Sequence, residues 1–151
     1  MGIPNSPFLT DLIQYARRID QKNERPFTSE RYLLALTDLL LGNVTFDTTT
    51  GFVEILVLIS KCCDSIEDTR NELAAYIERE GSDLQKNVAH TERLLERAAI
   101  RAKEAGADSL SAVELLRTIL EEPTDFLRDT FLRVRDTHHE DTELERMRRE
   151  L

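Results

Sequence analysis

The stretch Thr28-Ser29-Glu30-Arg31-Tyr32-Leu33-Leu34-Ala35-Leu36 decides the fold. A hydroxyl side chain stands directly ahead of an apolar run, where it caps a helix by accepting a hydrogen bond from a first-turn amide. Leu33, Leu34, Leu36, Leu40 and Leu41 then give that helix a wide apolar face, and Gly42 supplies the stop. The same grammar returns at Ser111-Ala112-Val113-Glu114-Leu115-Leu116-Arg117-Thr118-Ile119-Leu120, whose cap lies 83 positions after the first. The shift that pairs Thr28 with Ser111 also pairs Leu12 with Leu95, Ala16 with Ala99, Arg18 with Arg101 and Leu33 with Leu116. It further pairs Asn23 with Gly106, two residue types that adopt the left-handed conformation ending a helix. One offset aligns caps, stops and core positions, which predicts a tandem repeat.

Working outward, Ser6-Pro7 opens a first helix, with Phe8, Leu12, Ile13, Tyr15, Ala16 and Ile19 at helical spacing and a stop at Asn23. Residues 43–50 form a polar loop. A third helix is expected from about Gly51 to Cys63, with Phe52, Ile55, Leu56, Leu58 and Ile59 inward. Asp64 or Ser65 caps a fourth, buried through Ile66, Leu73, Tyr76 and Ile77. The second half begins with a helix through Val88, Leu94, Leu95, Ala98, Ala99, Ala102 and Ala105, ended by Gly106. The Ser111 helix follows, then a break at Pro123-Thr124, a helix with Phe126, Leu127, Phe131 and Leu132, and a charged helix over roughly 141–151. The expectation is one all-α domain over 1–151, made of two pseudo-repeats of four helices each, about 6–81 and 84–151.

Composition fits that class. The chain has 151 residues, 40% hydrophobic and 32% charged, with no Trp and few Gly or Pro. Its net charge of −9 repels polyanions, which argues against nucleic acid and anionic membrane as partners. The longest apolar runs, Leu39 to Leu41 and Ile55 to Ile59, fall far short of the ~20 residues that span a bilayer. The start shows no basic segment followed by an apolar run, so no secretory signal is read. Cys62 and Cys63 are adjacent and point about 100° apart on a helix, which prevents an unstrained bridge. These features together read as a cytoplasmic protein.

The Thr28–Leu36 stretch resembles the Thr-Glu-His-Leu-Leu-Leu-Ala-Leu signature in the N-terminal domain of Clp-type AAA+ protein unfoldases. Tyr15-Ala16-Arg17-Arg18, Ala98-Ala99-Ile100-Arg101-Ala102-Lys103-Glu104-Ala105-Gly106 and the Cys63–Leu73 stretch are similar to the helices and junction around it. The likeness runs from about Ser6 to the last helix. It implies an eight-helix, two-repeat domain that recruits protein clients and adaptors to a hexameric unfoldase and its peptidase, without chemistry of its own. Chains of this kind need no cofactor. A free-standing helical adaptor or regulator with the same fold and no attached ATPase is the alternative. In some members the signature Glu of each repeat binds phosphoarginine or an adaptor. Here Glu30 keeps that position, whereas Val113 replaces it in the second repeat, which implies a degenerate second site. Arg31 and Glu114 stand where the signature His is usual.

Candidate partner-binding residues are therefore Glu30, Arg31, Glu24 and Arg25. Glu30 reads first as a carboxylate favoured at a helix N-terminus and, compatibly with that, as a partner-facing acid that accepts a guanidinium fork or a peptide amine. Glu24 and Arg25 fall in the turn between the first two helices, a place where binding residues often lie. No catalytic or metal site is expected. The glycines at 2, 42, 51, 81 and 106 never form a Gly-x-x-x-x-Gly-Lys-Ser/Thr loop. His138-His139 are neighbours whose side chains diverge on a helix, and His90 has Asn87, not Glu, three residues before it.

Overall fold

The computed structural model describes residues 2–19 and 24–132. All regular structure among them is helical, apart from an isolated parallel bridge between Asn5 and Leu110. The helices are α1 (Pro7–Arg17), α2 (Ser29–Leu40), α3 (Phe52–Ser60), α4 (Ile66–Glu78), α5 (Leu84–Glu104), α6 (Ala112–Glu121) and α7 (Asp125–Leu127). A 3-10 turn at Gly81–Asp83 leads into α5, and α7 widens into a π-helical turn over Arg128–Leu132. The stop expected at Asn23, the helix expected over 141–151 and the His138-His139 pair lie outside the described residues.

The caps read from the sequence hold in the structure. The hydroxyls of Ser6, Thr28, Ser65 and Ser111 accept from the amides of Leu9, Arg31, Asp68 and Glu114. Gly106 takes φ 87° just beyond α5, and the amide of Ala107 closes the end by donating to the carbonyl of Ala102.

Helix α2 is the centre of the molecule. Every residue from Ser29 to Leu39 is buried, and α1, α3, α4 and α5 all pack on it. Helix α6 pairs with α5 in the same manner as α2 pairs with α1, and it also meets α1 and α3. The Tyr32 hydroxyl donates to the carbonyl of Ala112 at 2.7 Å, which joins α2 to α6 inside the core. A second tie forms around Asp38, 2% exposed, whose carboxylate accepts from Tyr15 Oη, Asn43 Nδ2 and Arg70 Nε at 2.8–3.0 Å. It fixes α1, the loop after α2, and α4 to one point, with both oxygens of the buried carboxylate hydrogen-bonded. No helix among the described residues is long and apolar enough to cross a membrane.

Several expected faces are corrected. Helix α3 buries only Ile55 and Ile59; Phe52 and Leu56, read as inward, are exposed, as are Val53 and Val57. Leu41 is likewise exposed beyond the end of α2, and Ala105 at the end of α5. Helix α1 ends at Arg17, short of Ile19. Helix α3 ends at Ser60, so Cys62 and Cys63 lie beyond it; Cys62 is buried and Cys63 half-buried.

Gly51 precedes α3 at φ 70°, and a Cβ there would lie 2.6 Å from Cγ2 of Val113 on α6. Both facts require glycine. Gly51→Ala is expected to destabilise the chain by more than about 1 kcal/mol in urea unfolding. Leu33→Ala and Leu116→Ala, at fully buried sites, should each cost about 2–5 kcal/mol, whereas Val53→Ser on the exposed face of α3 should change stability by about 0.5 kcal/mol or less.

Candidate functional site

The first turn of α2 carries three polar residues into the interior, and each meets a different element. The Ser29 amide donates to Thr91 Oγ1 of α5 at 2.8 Å, and the two hydroxyls lie 3.0 Å apart. Thr91 gives its own hydrogen to the carbonyl of Asn87, so Ser29 is the donor between the hydroxyls. The Arg31 guanidinium donates to the carbonyl of Ala16 at 3.2 Å, one of the last-turn carbonyls of α1, where a cation also meets the negative end of the helix dipole. Glu30 Oε2 accepts from the hydroxyl of Thr124, the cap of α7, and Glu30 Oε1 is buried with no hydrogen-bond partner among the described residues. Arg31 and Glu30 are 4% and 0% exposed. Neither presents its charge at the surface, so the partner-facing acid expected at Glu30 is instead a buried carboxyl that links α2 to α7.

Behind Thr124 lies more polar interior. Glu80, also buried, accepts from Asn87 Nδ2 at 3.0 Å, and the same amide donates to Tyr76 Oη at 2.9 Å. Both amide hydrogens are used, which fixes the orientation of Asn87. Tyr76 in turn donates to Asp83 at 3.3 Å. Burial raises the pKa of Glu30; the Thr124 hydroxyl and its own backbone amide oppose the shift, and the charges of Glu80 and Asp83 add to it. Burial also raises that of Glu80, against the Asn87 hydrogen bond and the charge of Arg31. The Tyr76 phenol is pushed up to about 12, again mainly by burial.

On the outer side of Thr124 a cleft of about 430 Å³ opens between α5 and the segment from Pro123 to Asp129. The 3-10 turn lines it with Asp83, and one face of α5 with Lys86, His90 and Arg93, at helical spacing. The floor is aromatic: Phe126 stacks on Tyr76 with centroids 3.8 Å apart and planes 11° from parallel. The opposite wall carries Asp125, which accepts from Lys86 Nζ at 2.9 Å and lies 3.3 Å from Arg128. His90 Nε2 lies 2.8 Å from the carbonyl of Glu122, and burial with the Arg93 charge lowers its pKa. The cleft thus offers an apolar floor between rims that carry both signs of charge. That arrangement suits a polypeptide segment, which has apolar side chains, amides and charges to match it.

Glu24 and Arg25 are exposed and lie against the end of α1. Glu24 sits 3.6 Å from both Arg17 and Arg18, and Arg17 Nε donates to the carbonyl of Arg25 at 3.0 Å. Arg101, the counterpart of Arg18, pairs with Glu121 and so joins α5 to the end of α6. The structure therefore separates the four candidate residues into a buried pair and an exposed pair. The cleft residues had no contiguous signal in the sequence; the recurrence of Lys86, His90 and Arg93 along one face of α5, with Asp83 just ahead of it, is the pattern that marks them. No group of three or more His, Cys, Asp or Glu among the described residues is placed to hold a metal ion.

A carboxyl whose folded pKa is raised holds its proton more tightly when folded, so its contribution is fully present below the unfolded pKa and is lost as pH rises through the folded one. For Glu30, wild type should therefore lose stability relative to Glu30→Gln as pH rises above the ordinary carboxylate range. Urea midpoints of both proteins from pH 5 to pH 8 measure this; a pH-independent difference would contradict it.

Comparison of the chain with protein-family models, with curated proteins and with solved structures finds no match.

Proposed function

We propose that this chain is a protein-recognition domain of two pseudo-repeated helical units, of the kind that recruits clients and adaptors to a Clp-type AAA+ unfoldase. Its role is binding. ATP hydrolysis belongs to AAA+ domains outside it, and peptide cleavage to an associated peptidase.

The observation that carries the repeat is a reciprocal contact. Glu30, the second residue of α2, bonds Thr124, which stands immediately ahead of α7. Val113, the second residue of α6 and 83 positions after Glu30, meets Gly51, which stands immediately ahead of α3. Each capped helix thus rests on the start of a helix that follows the other. The pairs α1 with α2 and α5 with α6, and the cross-contacts α1 with α6 and α2 with α5, interchange under the same shift. Duplicated segments that exchange partners in this way form a two-fold pseudo-symmetric core. In this reading the reciprocal contact itself has diverged, polar on one side and apolar on the other.

A fold does not by itself specify an activity, so recruitment rests on the site. The cleft presents stacked aromatics and both signs of charge on a chain that is otherwise acidic, and the Glu24-Arg25 turn offers a second exposed charged surface. The Glu30 position is unsuited to a surface test because its side chain is buried, so the variants belong on the exposed residues. Wild type, Lys86→Glu/Arg93→Glu and Glu24→Lys/Arg25→Glu would be immobilised and used to capture proteins from source-cell lysate for mass spectrometry. Loss of adaptors or clients of an ATP-dependent protease from the Lys86/Arg93 variant alone is expected. An identical set on all three proteins, or none on wild type, would contradict recruitment through the cleft.

A further inference from the structure

We propose that Arg93 is the point at which the cleft reads its ligand, and that the ligand is a polypeptide segment with a carboxylate side chain for Arg93 and, within a few residues of it, an apolar side chain for Phe126. This specificity rests on the cleft being the recognition site.

The other basic groups that α5 turns towards the end of α6 and the segment after it are committed there. Arg101 pairs with Glu121, Arg97 with Glu122, and Lys86 with Asp125 at 2.9 Å. Arg128, on the cleft wall itself, also holds Asp125, at 3.3 Å. His90 Nε2 lies 2.8 Å from the carbonyl of Glu122, which can only accept, so that nitrogen carries the hydrogen. Arg93 is the exception. Its bond among the described residues runs to Nδ1 of His90 at a long 3.4 Å, the nitrogen that this tautomer leaves as an acceptor. The imidazole thus orients the guanidinium without neutralising it, and leaves most of its five donors unused. A cation with no acid opposite therefore lines the cleft.

The surroundings decide what completes it. The acids of the cleft gather about Lys86 and Arg128: Asp83 stands just ahead of Lys86, Asp125 pairs with both cations, and Asp129 follows Arg128. Arg93 lies two helical turns beyond Lys86, about 10 Å along the axis of α5. The other acids of this part of α5 border different surfaces, Glu92 beside Pro26 and Glu96 beside Gly2. One uncompensated guanidinium matches one carboxylate, which it holds through two parallel N–H donors. A phosphate dianion needs further cations, and the next one along the helix, Arg97, is already paired. Phe126, half-buried and stacked on Tyr76, attracts an aliphatic or aromatic side chain but gives the ligand no direction. The charges give it: an acid on the ligand is drawn to Arg93 and repelled by Asp83 and Asp129. On a chain of net charge −9 there is no general attraction for acids, so recognition depends on this contact.

Selection from a displayed library of short random linear peptides tests this on the full chain, as wild type, Arg93→Glu and Phe126→Ala, each checked for helicity by circular dichroism. Wild type should enrich Asp or Glu at a fixed spacing from an aliphatic or aromatic residue. Arg93→Glu, a surface charge reversal, should enrich Lys or Arg at that same position. Phe126→Ala should keep the acid and lose the apolar preference. A synthetic peptide selected on wild type should bind Arg93→Glu about tenfold or more weakly by fluorescence anisotropy, and exchanging its acid for Lys should reverse the order. Peptides without an enriched acid, or the same acid enriched equally on Arg93→Glu, would overturn the role of Arg93; loss of those peptides on Phe126→Ala would still keep the cleft as the recognition site. No enrichment on wild type would overturn both.

Discussion

The rest of the structure depends on the burial of a polar helix start. Ser29, Glu30 and Arg31 occupy the first turn of α2, and the helix is buried from Ser29 to Leu39. A polar group out of reach of water must be hydrogen-bonded or it costs about 1–3 kcal/mol. Ser29 finds Thr91 on α5, Glu30 finds Thr124 ahead of α7, and Arg31 finds the carbonyl of Ala16 at the end of α1. One turn thus sets the positions of three other elements, and apolar packing alone would allow each of them to slide. At the other end of α2, Asp38 does the same for α1, α4 and the loop after α2 through Tyr15, Arg70 and Asn43.

The helices were legible because their boundaries are local. A Ser or Thr side chain caps its own first turn, so Ser6, Thr28, Ser65 and Ser111 could be read without knowing what packs against them. Faces were legible where one side of a helix is polar. Helix α3 is apolar almost all round, through Phe52, Val53, Ile55, Leu56, Val57, Leu58 and Ile59, so its spacing could not say that only Ile55 and Ile59 are fully buried. Glu30 and Arg31 misled for the opposite reason. Charged residues are normally at the surface, and their partners lie 94 and 15 positions away, where no periodicity connects them. The cleft was hidden likewise, since its floor joins Tyr76 to Phe126 and its rims come from α5 and the turn after α6.

The two contacts related by the 83-residue shift differ in chemistry. At one reciprocal contact Glu30 meets Thr124, and the surface beyond is a charged cleft. At the other Val113 meets Gly51, and the surface beyond is the apolar face of α3. In the recruitment reading, the polar side is the one that retains a site. The acid that was expected to touch a partner is buried and bonds Thr124 on the cleft wall instead.

That role makes the Glu30–Thr124 contact the point to test. A double-mutant cycle of Glu30→Gln and Thr124→Val, measured by urea unfolding at pH 5, isolates the coupling between two residues 94 positions apart. Coupling of about 1 kcal/mol or more is expected if this bond joins α2 to the wall of the cleft. Additive losses, with coupling near zero, would contradict it and leave the buried carboxyl without its structural role.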